Sequence, residues 1–113
     1  MEIFSSLSEY PFIKHWEVVH FKQSSTSLHY KINLVFQDDS GLFVREFYSP
    51  NVRDYSFHWQ DKNQVLLVRW DNSPHFPSLS TFPHHKHNKE LVEESKEMFL
   101  KDVLKEIELF FGD

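Results

Sequence analysis

Cysteine is missing from this chain altogether. Its absence excludes thiolate catalysis, structural zinc held by sulfur and a disulfide framework, and it fits a reducing compartment. Glycine is nearly as scarce, with two in 113 residues. No glycine-rich phosphate loop of the dinucleotide or P-loop kind can be built from so few. No apolar run approaches the roughly 18 residues of a membrane-spanning helix. Residues Met1 to Ile13 lack a basic start followed by an apolar stretch, so no secretory leader is expected and a cytoplasmic location is. No serine sits in a G-x-S-x-G setting, which disfavours acyl transfer. Repeats, low-complexity runs and linkers are absent too, and a single domain over residues 1–113 is expected.

Aromatic residues, by contrast, are abundant: twelve Phe, four Tyr and three Trp. Such side chains favour pleated, half-buried positions, so the composition leans towards β structure. The net charge of −5 is unevenly spread. Residues 1–44 carry −2, residues 45–89 carry +2 together with five of the eight His, and residues 90–113 carry −5. An acidic protein is a poor non-specific binder of nucleic acid, but the basic middle third can hold an anion locally.

Period-two alternation is clearest from Leu28, where Leu28, Tyr30, Ile32, Leu34 and Phe36 share one face and His29, Lys31 and Asn33 the other. A strand over His15 to Lys22 precedes it, carrying Trp16, Val18, Val19 and Phe21. Asp38-Asp39-Ser40-Gly41 supplies a turn in which Gly41 can take positive φ, and Leu42 to Tyr48 returns. Ser49-Pro50-Asn51 breaks that strand. A second hairpin runs Asp54 to Gln60, turns at Asp61-Lys62-Asn63 and returns over Gln64 to Trp70. Residues 71–89, with three prolines, read as a loop, and Lys89 to Glu93 as a short edge strand. Phe99/Leu100, Val103/Leu104, Ile107 and Phe110/Phe111 recur at helical spacing. Ser95 is the expected N-cap, Glu97 lies in the first turn, and Gly112 stands where a C′ glycine would. The expected fold is α+β: an antiparallel meander of five to six strands with a C-terminal helix packed on one face.

The unusual segment is residues 69–87, which hold Arg69, Asp71, Asn72, His75, His84, His85, Lys86 and His87. Three readings stay open. In one, the segment binds or cleaves RNA without a metal or other cofactor. Histidine serves as base or acid near neutral pH, Arg69, Lys86 or Arg53 offsets phosphate charge, and Tyr55, Trp59, Phe76 and Phe82 stack on bases. In the second, Asp71, His75, His84 and His87 hold zinc, nickel or iron, although the spacing matches no helical signature such as H-E-x-x-H. In the third, Asp71 and Asn72 form an Asx-type turn and the histidines bond to backbone carbonyls. Elsewhere, Trp16 and Trp70 read as core, His20 and His29 as exposed or edge positions, and Glu46 as a cross-strand or surface charge beside Arg45. The polar face of the last helix reads as solvated.

Two linked runs carry a family resemblance: Arg69-Trp70-Asp71-Asn72-Ser73-Pro74-His75 and Thr81-Phe82-Pro83-His84-His85-Lys86-His87. Arg45-Glu46-Phe47 and the run from Val52 to Asp61 add to it. From about Phe43 to the end of the last helix the chain resembles the TumE family, small toxins of toxin–antitoxin pairs. The resemblance implies a cytoplasmic toxin neutralised by a cognate antitoxin, often a helix-turn-helix protein, with ribonuclease action by analogy with other small β-sheet toxins. It selects Glu46, Arg69, Asp71, Asn72, His75, His84 and His87 as the site. The expected roles are acid/base work at His84 or His87, with His75 and Glu46 as further catalytic candidates. Arg69, Arg53 and Lys86 are expected to bind substrate, with Asp71 and Asn72 orienting the segment. Relatives often carry a second histidine where this chain has Phe76. The alternatives are a non-enzymatic interaction module, whose acidic helix docks a basic partner, and a His-rich metal protein.

Overall fold

A computed structural model of the protein describes residues 2–111. Its strands are β1 (Ile13–Gln23), β2 (Leu28–Phe36), β3 (Gly41–Ser49), β4 (Val52–Gln60), β5 (Leu66–Asp71), β6 (His85–Asn88) and β7 (Leu91–Glu94). All are antiparallel and lie in the sheet in chain order. A short helix α1 (Glu2–Ser5) runs into a 3-10 turn over Ser6–Glu9, and helix α2 (Leu100–Glu108) follows the last strand.

Alternation along each strand sorts side chains onto two faces. On one face Ile32, Val44, Phe57 and Trp70 stand opposite one another across four strands, none more than 2% exposed. Tyr30, Leu34, Phe36, Leu42, Tyr55 and Trp59 complete this wall, against which Val103, Leu104 and Ile107 of α2 and Phe4 and Leu7 of the amino end are buried. Each such side chain contributes roughly 1.5–3 kcal/mol by leaving water. Phe4 sits edge-on to Tyr30 at 5.3 Å and also meets Trp16 and Phe21.

The other face is polar. Lys31, Arg45, Ser56, Asp71 and His85 form one row across five strands, and Asn33, Phe43, His58, Arg69 and His87 form the next. Among the described residues no helix covers it.

Several sequence expectations need correction. The sheet has seven strands rather than five to six, because β6 lies inside the stretch read as a loop. At the first turn it is Asp39, φ 66°, that takes the left-handed conformation, and Gly41 already belongs to β3. Asp38 Oδ1 accepts the Ser40 amide there and fixes the turn. Helix α2 begins at Leu100, not after Ser95. Residues 95–99 form a strap without regular secondary structure, and the Phe99 amide, at an extended residue, donates to Asp102 Oδ2 at 2.9 Å as the real amino-terminal cap. The Gly112 cap lies outside the described residues.

Candidate functional site

The sheet divides the residues singled out in the sequence between its two faces. Glu46, Arg53 and His84 lie on the helix side. Glu46 is 3% exposed, so it is no surface charge. Its Oε1 takes Arg53 Nη2 at 2.5 Å and the Tyr48 hydroxyl at 2.8 Å, and Tyr30 donates to Oε2. The same guanidinium donates to the Met98 carbonyl at 2.8 Å and to Glu97 at 3.0 Å, and lies 4.1 Å from the Tyr55 ring centre and 4.2 Å from that of Phe99. Burial opposes the Arg53 charge, but the contact with Glu46 outweighs it and raises the pKa. Arg53 therefore ties the 95–99 strap to the sheet. His84 stacks on Tyr55 and its Nδ1 lies 2.8 Å from the Tyr55 hydroxyl. That hydroxyl also accepts the Met98 amide at 3.4 Å. Burial pushes Tyr55 up to about 12 and His84 below its ordinary 6.5, so the hydroxyl donates to a neutral imidazole.

Asn72 fastens the end of β5 to β4. Its Oδ1 accepts the Tyr55 amide at 3.0 Å and its Nδ2 donates to the Arg53 carbonyl at 2.6 Å. Asp71 closes the expected Asx turn, with Oδ1 accepting the Ser73 amide at 3.0 Å. Lys86 stands opposite Trp70 on β6, half-buried. His75 is exposed on the 72–84 loop, where its amide donates to the Ser73 carbonyl. Tyr55 and Trp59 are core residues, 1% and 2% exposed, and offer no surface to a base.

The open face holds the second cluster. Asp71 ends β5, and His85 and His87 lie beside it on β6, two residues apart and so on one face. His85 Nε2 is 3.0 Å from Asp71 Oδ1 and 3.1 Å from His87 Nε2, and His87 Nε2 is 3.6 Å from Asp71 Oδ2. His85 Nδ1 lies 3.0 Å from the Pro83 carbonyl. Phe76 folds edge-on against both rings, 4.8 Å from His85 and 5.8 Å from His87. Burial disfavours the Asp71 charge, yet the Ser73 amide, His85 and Arg69 together lower its pKa. Burial lowers His87 against the pull of Asp71, which leaves a neutral imidazole near pH 7.

Arg69 is held from two sides. Its Nε donates to Asp71 Oδ2 at 3.1 Å and its Nη1 lies 3.4 Å from His58 Nδ1, while His58 Nε2 meets Gln60 at 3.2 Å. Burial and the Arg69 charge lower the His58 pKa, so that ring accepts rather than repels. Arg69 Nη2 has no hydrogen-bond partner among the described residues, and the residue lines a depression of about 330 Å³ together with Lys31, Asn33, Phe43 and Arg45. A positive field extends beyond it: burial first, then His20, Arg45, Lys31 and Lys22, lowers His29.

The structure thus unites Arg69, Asp71 and His87 with His85 and His58, which the sequence reading did not place in the site. Glu46, Arg53 and His84 are on the other side of the sheet. The missed signal was the spacing of His85 and His87, which in a strand aligns both rings.

Among the described residues no helix is long and apolar enough to cross a membrane. Comparison with curated proteins and with solved structures produced no match. A family model described as Toxin TumE matches residues 3–110, extending the likeness through the amino-terminal strands. With all but the chain's extremities inside that match, this protein belongs to the TumE family of toxins.

Proposed function

We propose that this toxin acts on RNA through the open face of its sheet. The observation that carries the reading is Arg69, held by Asp71 and His58 with its Nη2 unbonded among the described residues, in the lining of a depression that also presents Lys31 and Arg45. A guanidinium fixed in advance loses little freedom when it takes a phosphate, and planar forks suit phosphate oxygens. Phe43, 42% exposed at the rim, offers a ring for a splayed base. Such basic crowding in a chain of net charge −5 concentrates the positive potential on one surface. Phosphodiester cleavage at the 2′-hydroxyl is the reaction class this setting favours. Arg69 offsets charge developing on phosphorus, and the Asp71–His85–His87 corner beside it supplies the imidazole chemistry. Membership in a toxin family implies a neutralising antitoxin, and a helix-turn-helix protein is the form we propose for it.

Inducing the chain alone and sequencing cellular RNA ends tests this. New ends are expected, and Arg69→Gln should abolish them while leaving the circular dichroism spectrum unchanged. In binding to a catalytically inert single-stranded RNA analogue, the same variant should lower the slope of log affinity on log salt by about 0.7, one phosphate contact. Growth arrest without new RNA ends would refute the cleavage reading and favour an interaction module.

A further inference from the structure

The corner formed by Asp71, His85 and His87 has a feature that hydrogen bonding alone leaves unresolved. The Pro83 carbonyl, 3.0 Å from His85 Nδ1, can only accept, so it places the ring hydrogen on Nδ1. The Nε2 of a neutral His85 is then a lone pair. It faces a carboxylate oxygen at 3.0 Å and a second imidazole nitrogen at 3.1 Å, in a ring only 1% exposed. A proton on His85 Nε2 can point at only one of these two; Asp71 Oδ1 also accepts the Ser73 amide, so a proton aimed at the carboxylate leaves the His87 nitrogen as the unmatched group. A cation at the centre satisfies all three.

We infer that Asp71, His85 and His87 form a binding site for a divalent first-row transition metal ion, with zinc as its simplest occupant. Two donors each about 2.0–2.1 Å from an ion stand about 3.3 Å apart in tetrahedral geometry and about 2.9 Å apart at a right angle. The separations of His85 Nε2 from Asp71 Oδ1 and from His87 Nε2, 3.0 and 3.1 Å, fall inside that range, and His87 Nε2 lies 3.6 Å from the second carboxylate oxygen, Oδ2. Two imidazoles and a carboxylate match the borderline character of zinc, iron and nickel. The supporting contacts are also in place. Pro83 orients His85, and the Ser73 amide and Arg69 Nε hold the Asp71 oxygens at 3.0 and 3.1 Å. Three protein donors leave at least one position for an outside ligand, as in catalytic rather than structural zinc sites. Arg69 holds the same carboxylate, so an anionic ligand of the ion would have a second positive charge nearby.

This assignment differs from the ligand set read in the sequence: His85 enters, and His75 and His84 leave. It also departs from the expectation of a site working without metal. It stands on the geometry of the corner and not on RNA. An ion there would take up the imidazole lone pairs, so the acid/base role proposed for these rings belongs to the metal-free corner, while the Arg69 phosphate contact stands or falls separately.

The test uses the full chain purified without a polyhistidine tag, stripped with a chelator and titrated with zinc chloride by calorimetry. One equivalent should bind. His87→Ala should weaken binding by at least about 10-fold, the lower end of what even supporting contacts to a metal cost, while His75→Ala and His84→Gln bind as the parent does. In parallel, zinc added to the unaltered chain should shift the His85 and His87 imidazole resonances and spare those of His15 and His20. This second measurement needs no variant to fold. Absence of stoichiometric binding, binding indifferent to His87→Ala, or zinc-induced shifts confined to other histidines would overturn the assignment and leave a proton shared at the corner.

Discussion

Replacing Arg53 by methionine strips the guanidinium from a carboxylate that is only 3% exposed and, among the described residues, has no other cation in contact. Methionine keeps much of the stem that lies between the Tyr55 and Phe99 rings, so the packing loss is small and the charge effect dominates. Breaking a buried ion pair by removing one partner costs about 3–5 kcal/mol. The Tyr30 and Tyr48 hydroxyls still donate to Glu46 after the change, which places the expected loss near the lower end, about 3 kcal/mol. At about 4–8 °C per kcal/mol for a domain near this size, the melting temperature should fall by roughly 15 °C. Urea unfolding followed by tryptophan fluorescence would read the same loss as a lower midpoint at unchanged slope. Adding Glu46→Gln should restore part of it, because no charge is then left buried and unpaired. The strap should also loosen, since Arg53 is bonded to both Glu97 and the Met98 carbonyl. Limited proteolysis after Lys96 would detect that. A loss under about 1 kcal/mol, or a double variant weaker than the sum of the singles, would refute the view that Glu46 and Arg53 hold the fold together.

Asn72→Ala should cost about 1–3 kcal/mol, because the Tyr55 amide and the Arg53 carbonyl both lose their partner. Faster amide exchange at Tyr55 is the local check. Stability should also depend on two of the open-face histidines, His29 and His58, whose pKa values burial lowers from the ordinary 6.5. Below that value the unfolded chain takes up protons before the folded one does, so this contribution is present above pH 6.5 and fades as pH falls towards the folded values. Denaturant midpoints measured with chelator between pH 7.5 and about 5.5 should therefore fall, and less steeply in a His29→Asn/His58→Gln double variant.

The central strands were legible because their apolar residues alternate without a break: Tyr30, Ile32, Leu34 and Phe36 point one way and all are buried. Strand β6 was hidden for the opposite reason. His85-Lys86-His87-Asn88 contains no apolar residue: its two imidazoles take the open face, and on the helix side Lys86 stands opposite Trp70 where a Val or Ile would have signalled a strand. Tertiary pairing with β5 and β7, not propensity, makes it a strand. The helix start was misplaced because Ser95 has the chemistry of a cap. Its amide is taken by the Thr81 hydroxyl instead, and the strap stays non-helical and brings Met98 over Tyr55. Glu46 looked like a surface charge because its partner Arg53 is seven residues away on the next strand, in a register that composition does not reveal. Of the residues carried over by family likeness, Arg69, Asp71 and His87 meet on one face. His84 is a neighbour in sequence but points to the opposite side.

The division of labour between odd and even positions makes the protein vulnerable in a specific way. Inserting one amino acid just before Arg69 would leave the chain able to pair but would exchange the inward and outward sets beyond that point. Trp70 would be thrust towards water and the guanidinium into hydrocarbon. Indels in β5 and β6 should therefore abolish the toxin outright, whereas equal changes in the hairpin tip at residues 24–27 should pass almost unnoticed.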